Sequence, residues 1–179
     1  SDAIDALNVA AGELSGAGDA IGNGINNIVG DGAGKGYQGD AYKASGAAYF
    51  AAAMAAQTNG SLLIVITTAY SNSAGKYSAA GALYDIAANE VGSQSSDQSI
   101  YYGKAGDAYA NSGMNYRSAG SYANAITAYN NALTAYTNQG NNTTGRIDSY
   151  IGLADTYNAI AIATNTDGDQ ADAYKSAGD

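Results

Sequence analysis

The sequence predicts an all-α fold, in which antiparallel helices joined by short turns stack as a solenoid. Three observations carry this. First, Tyr109, Gly113 and Tyr116 share one helical face, and Tyr122, Ala125, Ile126, Tyr129, Ala132 and Leu133 draw a second at three- and four-residue steps. Gly120 separates the two. Second, small residues (Gly113, Ala125, Ala132) stand against Tyr116, Tyr122 and Tyr129, so two antiparallel helices can approach closely and still fill the space between them. Third, the pattern recurs. Tyr42, Ser45-Gly46 and Tyr49 repeat the spacing of Tyr109, Ser112-Gly113 and Tyr116.

These residues resemble a tetratricopeptide repeat. The family pattern is an aromatic residue, Leu-Gly, Tyr, Gly, then Ala with an aromatic four residues on. Here the positions are Tyr109, Ser112-Gly113, Tyr116, Gly120, and Ala125 with Tyr129. Ser112 departs from the usual leucine, and the closing proline is missing because the chain has no Pro. The resemblance covers residues 39–179 and implies helix-turn-helix units that bury their faces only against neighbours.

Taken in order, Ser1 to Val29 carries Ile4, Leu7, Leu14, Ile21, Ile25 and Ile28 at helical spacings, with Asp2 placed to cap. Five glycines between 12 and 24 weaken this helix by about 1 kcal/mol each relative to Ala, so it needs a packing partner. Gly30 to Gly39 reads as a flexible linker. Gly34, Gly36 and Gly39 do spell G-x-G-x-x-G, but no strand precedes them, and Val29 and Gly36 break the P-loop pattern. The chain therefore divides into a Gly-rich arm and linker, 1–38, and a repeat domain, 39–179. Asp40 to Gln57 opens that domain as a helix. Thr58 to Ser61 is a turn, and Leu62 to Ile66 is too short to span a bilayer and reads as the start of a buried helix running to Tyr70. Gly75, Tyr77, Ala80, Tyr84 and Ala87 repeat the pattern of Gly120, Tyr122, Ala125, Tyr129 and Ala132. Gly92 to Ser96 is a loop, and Asp97 caps the next helix. Asn138 to Thr144 is a loop. Tyr150, Leu153-Ala154 and Tyr157 restart the first-helix pattern. After a turn at Asn165 to Asp169, Tyr174 and Ala177 close the chain.

Composition narrows the function. Charged residues are 13%, about half the usual share. Seven Lys and Arg against 16 Asp and Glu give a net charge of -9, which argues against nucleic acid and anionic membrane surfaces as partners. The chain has no Cys and no His, so it lacks thiolate ligands and the commonest general base. Asp107, Asp148, Asp155 and Asp172 are scattered rather than paired in a cleft. We expect no enzyme. The start at Ser1 without a signal-like segment suggests a processed, secreted chain, extracellular or at the cell surface.

Three sequons, at Asn59, Asn141 and Asn142, fall in turns where glycans could be attached. Asn165, Asp167, Asp169 and Asp172 alternate oxygens in a manner that suits Ca²⁺. Gln170 and Ala177 stand where an EF-hand needs Gly and Glu, so the alternative is a polar turn in which Asp169 caps the last helix. The tyrosine stripes read as core. The leading expectation is a structural subunit of an extracellular filament or surface layer. It would polymerise head to tail with copies of itself, Ile21, Ile25 and Ile28 of one copy meeting Ala171, Tyr174 and Ala177 of the next. The other reading is a monomeric adaptor that holds a peptide in its concave groove. Family adaptors hold acidic tails with basic residues, and only Lys104 and Arg117 lie near the match.

Overall fold

A computed structural model describes residues 2–25, 32–92, 95–140 and 142–164. Among them are six helices and no strand: α1 (Asp2–Ile25), α2 (Gly32–Thr58), α3 (Leu63–Val91), α4 (Ser96–Ser118), α5 (Tyr122–Asn138) and α6 (Thr143–Thr164). Each packs against the next in chain order, and α4 also touches α6. The arrangement is the all-α, solenoid-like stack expected from the sequence.

The helices are held by tyrosine rings lying on glycines. Along α2, Gly32, Gly39 and Gly46 face Val91, Tyr84 and Tyr77 of α3. Both series step by seven, in opposite directions, so the helices are antiparallel and one seam stays in contact along its length. The scheme continues on α5. Tyr129 lies between Gly113 of α4 and Gly152 of α6, and Tyr136 between Gly106 and Gly145. Tyr109 of α4 lies on Gly81 of α3, where a Cβ would sit 2.8 Å from the ring. Such distances require the missing side chain, and the buried rings fill what would otherwise be voids.

Close approach also brings backbones within reach of short side chains. Buried Ser45 donates to the carbonyl of Ala11 (2.7 Å), Ser73 to that of Gly46 (2.8 Å) and Ser112 to that of Ala74 (2.9 Å). Each bond ties a helix to the one before it. This accounts for serine at Ser45 and Ser112: the hydroxyl takes a carbonyl that a longer apolar side chain would push away. Glycine in the left-handed region ends α2 and α4. Gly60 and Gly120 have φ of 66° and 77°, and Ser61 and Ser121 donate back to the carbonyls of Ala56 and Tyr116.

Several expectations change. Gly32 to Gly39 is not a linker but the first two turns of α2, so the boundary drawn after residue 38 lies within a helix. Packing outweighs the intrinsic cost of glycine here: Gly36 lies beneath Tyr101 and Gly39 beneath Tyr84. The Gly-rich N-terminal segment likewise packs, Gly18 against Tyr42 and Gly22 against Gln38. The two segments around Gly75 form one continuous helix, α3. Ser95, not Asp97, caps α4, its hydroxyl accepting from the Asp97 N–H at 3.1 Å. Tyr129 is buried as expected, whereas Tyr116 is only half-buried.

The same substitution on one helix tests the seam. Gly81→Ala should destabilise the fold by about 1–3 kcal/mol, because a new methyl meets the buried Tyr109 ring. Gly75→Ala has nothing within 4 Å and should stabilise α3 by about 0.5–1 kcal/mol. Denaturant unfolding followed by circular dichroism measures both, and equal effects would refute the ring-on-glycine account.

Candidate functional site

Two uncovered apolar surfaces stand out. The first is the turn between α2 and α3. The glycine stop at Gly60 releases the chain, and Leu62 then occupies the N-cap of α3 without a side-chain bond to the helix. Leu is among the poorest residues for that position. Leu62, Leu63 and Ile64 are 75%, 74% and 68% exposed, and Val65 is also exposed. This overturns the expectation of a buried run from Leu62 to Ile66. Consecutive exposed residues span a whole helical turn, so no side of the first turn is covered. Only Ile66 turns inward, against Ala53, Ala69 and Tyr70. Beside the tip is a groove of about 390 Å³, lined by Asn8 of α1, Tyr49 of α2 and Ile64, Val65, Thr68, Ala69 and Asn72 of α3.

The second surface is the outer face of α6. Gly145 and Gly152 turn inward to receive Tyr136 and Tyr129. Helical geometry then places Ile147, Tyr150, Ile151 and Ile162 in solvent, and all four are exposed. Ile151 also borders a 260 Å³ groove between α4 and α6, with Met114, Arg117, Asp148 and Asp155. Arg117 Nη1 donates to Asp155 Oδ2 at 2.6 Å. Lys104 pairs with Asp40 at 3.0 Å and lies over the rings of Tyr84 and Tyr101. Both basic residues singled out as a possible acidic-tail clamp are therefore already engaged within the chain.

The carboxylates serve the tyrosines. Tyr84 donates to Asp40 (2.7 Å), Tyr109 to Asp85 (3.0 Å), Tyr136 to Asp107 (2.8 Å), and Tyr42 to Asp19. In three of these the acceptor follows the glycine beneath the ring: Gly18-Asp19, Gly39-Asp40 and Gly106-Asp107. The glycine admits the ring and its neighbour satisfies the phenol. Burial pushes the phenols of Tyr77, Tyr84, Tyr109, Tyr129 and Tyr136 above their ordinary value, and the bonded carboxylates raise Tyr84, Tyr109 and Tyr136 further. Burial also raises Asp85, partly offset by the hydrogen bond from Tyr109.

Of the other candidate residues, Asn59 is exposed in the turn after α2. Asn142 is half-buried and caps α6: its Oδ1 accepts from the Gly145 N–H (3.0 Å) and its Nδ2 donates to Gln139 Oε1 (2.9 Å). Ile21 is half-buried on α1. Asn141, the Ile25 side chain, Ile28, the Ca²⁺ candidates Asn165, Asp167, Asp169 and Asp172, and Ala171, Tyr174 and Ala177 lie outside the described residues. Among the described residues no three acidic side chains gather as a metal site, and no helix is long and apolar enough to cross a membrane.

Compared with known proteins, the chain matches no family model, no curated protein and no solved structure.

The tyrosine environment sets a pH limit. Unfolded phenols ionise near pH 10, whereas the folded ones hold their protons to higher pH. Their contribution to stability is therefore full below pH 10 and is lost as pH rises from there toward the folded values. Helix content and the last part of the tyrosinate absorbance, that of the buried rings, should change together in one cooperative alkaline step. Ionisation of all the tyrosines with the helices intact would contradict the burial described.

Proposed function

We propose that the protein is a non-enzymatic structural subunit that assembles with copies of itself into an extracellular filament or surface layer. One observation carries this reading: the outer face of α6 leaves Ile147, Tyr150, Ile151 and Ile162 bare. Stacked-helix proteins that stay monomeric cover their terminal faces with polar caps. At the other end of the stack is α1, whose Val9 is 61% exposed. These two faces differ, so a contact between them is heterologous and repeats into a ring or a helical filament. Ile21, Ile25 and Ile28 remain on the N-terminal side of this contact in our reading. On the C-terminal side the bare α6 face joins Ala171, Tyr174 and Ala177.

The tetratricopeptide likeness is retained as a proposal for the motif around each Ser-Gly pair. The hairpin is longer than the roughly 34-residue family unit, with 27 residues in α2 and 29 in α3. The alternative is a peptide-binding adaptor, favoured by the apolar groove at Met114 and Ile151. Arg117 and Lys104, held by Asp155 and Asp40, count against capture of an acidic tail.

Negative-stain microscopy of the intact protein should reveal filaments or sheets. Ile151→Asp, on an exposed position, should give a helical monomer in sedimentation velocity. Filaments formed equally well by this variant would remove α6 from the contact, and a monomeric parent at high concentration would favour the adaptor. A secreted chain should also carry glycan at Asn59. In protein from its natural source, the peptide that carries Asn59 should then exceed its sequence mass by that of a glycan, and a bare peptide would end that part of the proposal.

A further inference from the structure

A polar groove runs between α1 and α3, along one edge of α2. Tyr42 and Tyr49 of α2 line it together with Ser71, Asn72, Gly75 and Lys76 of α3, around a space of about 350 Å³. Tyr49 and Asn72 also border the adjoining hollow that Asn8 of α1 and Thr68 of α3 line. Lys76 closes one end: its Nζ donates to Ser15 Oγ of α1 at 2.5 Å and lies 5.1 Å from the centre of the Tyr42 ring. From Thr68 to Lys76 the groove follows α3 for about 12 Å.

Three features say what this groove suits. The first is Gly75. Gly39, Gly46 and Gly81 each admit a tyrosine ring, whereas a Cβ at Gly75 would meet nothing within 4 Å. Glycine inside the 29-residue α3 costs about 1 kcal/mol relative to Ala, and no packing within the chain offsets it. Its effect is to leave bare backbone along the groove, as close approach of a ligand requires. The second is hydrogen bonding. On α4 and α5, Asn111, Asn115, Thr127, Thr134 and Thr137 each donate to the carbonyl four residues before. Along the groove, the side chains of Asn8, Tyr49, Thr68, Ser71 and Asn72 make no hydrogen bond to any described residue. The third is charge. Of the residues lining either space only Lys76 is charged, and Ser15 already engages it. Exposed Asp5 stands one helical turn before Asn8. A charged ligand has no free counter-charge here, whereas a neutral one meets amides and hydroxyls arranged around a tyrosine ring. That is the chemistry of a sugar: its C–H face lies on an aromatic ring, and its hydroxyls both donate and accept.

We propose that this groove binds a neutral saccharide of about two or three sugar rings, one ring stacked on Tyr49 and the next lying over the bare backbone at Gly75, with Asn8, Thr68, Ser71 and Asn72 bonding the hydroxyls. The site is separate from the outer face of α6 and does not depend on assembly.

Gly75→Gln is the deciding variant. The position accepts a Cβ without a clash and Gln favours helix over Gly, so the fold is kept while the new side chain fills the groove. Tyr49→Ala removes the stacking ring, and Thr134→Gln, exposed on α5, is the control. The full chain, with isotope-labelled tyrosine rings, is titrated by NMR with cellotriose, maltotriose, mannotriose and chitotriose at millimolar concentration. At least one should shift tyrosine resonances saturably, with affinity weakened several-fold by Gly75→Gln and by Tyr49→Ala and unchanged by Thr134→Gln. Circular dichroism should show parental helix content in Gly75→Gln. Failure of all four sugars to shift any resonance overturns the proposal, as does binding that survives Gly75→Gln. A neutral peptide of Ala, Ser and Asn that binds where the sugars do not, and is lost in Gly75→Gln, would make the groove a peptide site and overturn it equally.

Discussion

The structure depends on one contact, a tyrosine ring laid on the bare backbone of a neighbouring helix. A ring can do this only where the partner residue has no Cβ, so Tyr77, Tyr84, Tyr109, Tyr129 and Tyr136 each lie on a glycine across the seam. The contact explains a composition that otherwise looks unfit for helices. The chain has 24 glycines, each costing about 1 kcal/mol within a helix. Burying an aromatic ring offsets that cost, since removal of a large core aromatic typically loses about 3–5 kcal/mol. Tyrosine rather than phenylalanine serves because the phenol reaches the far edge of the helix and finds an aspartate there, as Tyr84 finds Asp40 and Tyr136 finds Asp107. Much of the sparse charge in this chain is therefore structural.

The same contact governs the surface. Interior helices meet neighbours on two sides, and their tyrosines, glycines and serines are consumed there. On the outer face of α6 and at the first turn of α3, apolar side chains are left exposed. The α6 face is bare on the side opposite Gly145 and Gly152, and the first turn of α3 is bare because the core ends at Ile66. These two surfaces arise differently. One is the outer face of the last described helix, and the other is a helix start carrying leucine where a cap residue belongs. A heterologous contact at the first would build a filament from one small acidic chain.

Helical class, antiparallel pairing and the matching of small residues with tyrosines were legible in the sequence, because the three- and four-residue spacings of Tyr109 to Leu133 reflect helical geometry directly. The glycine seams were only partly legible. Gly39 and Gly46 stand seven apart, as do Tyr77 and Tyr84, and that period could have been found. Read by intrinsic propensity alone, Gly32 to Gly39 looks like a linker. Its helicity depends on Tyr84 and Tyr101, distant in sequence. The fate of Leu62 to Val65 was hidden for a related reason. Hydrophobicity favours burial, but whether a neighbour exists to cover a residue depends on where the stack ends.

By itself, then, the sequence determined the helical class, where left-handed glycines stop α2 and α4, and which small and large residues could face each other. These are local properties of the backbone and of side-chain size. Only the tertiary structure decided which glycine each ring covers, why serine stands before Gly46 and Gly113, and which apolar residues remain outside. Each of those depends on the separation and register of two helices, and no single helix contains that information.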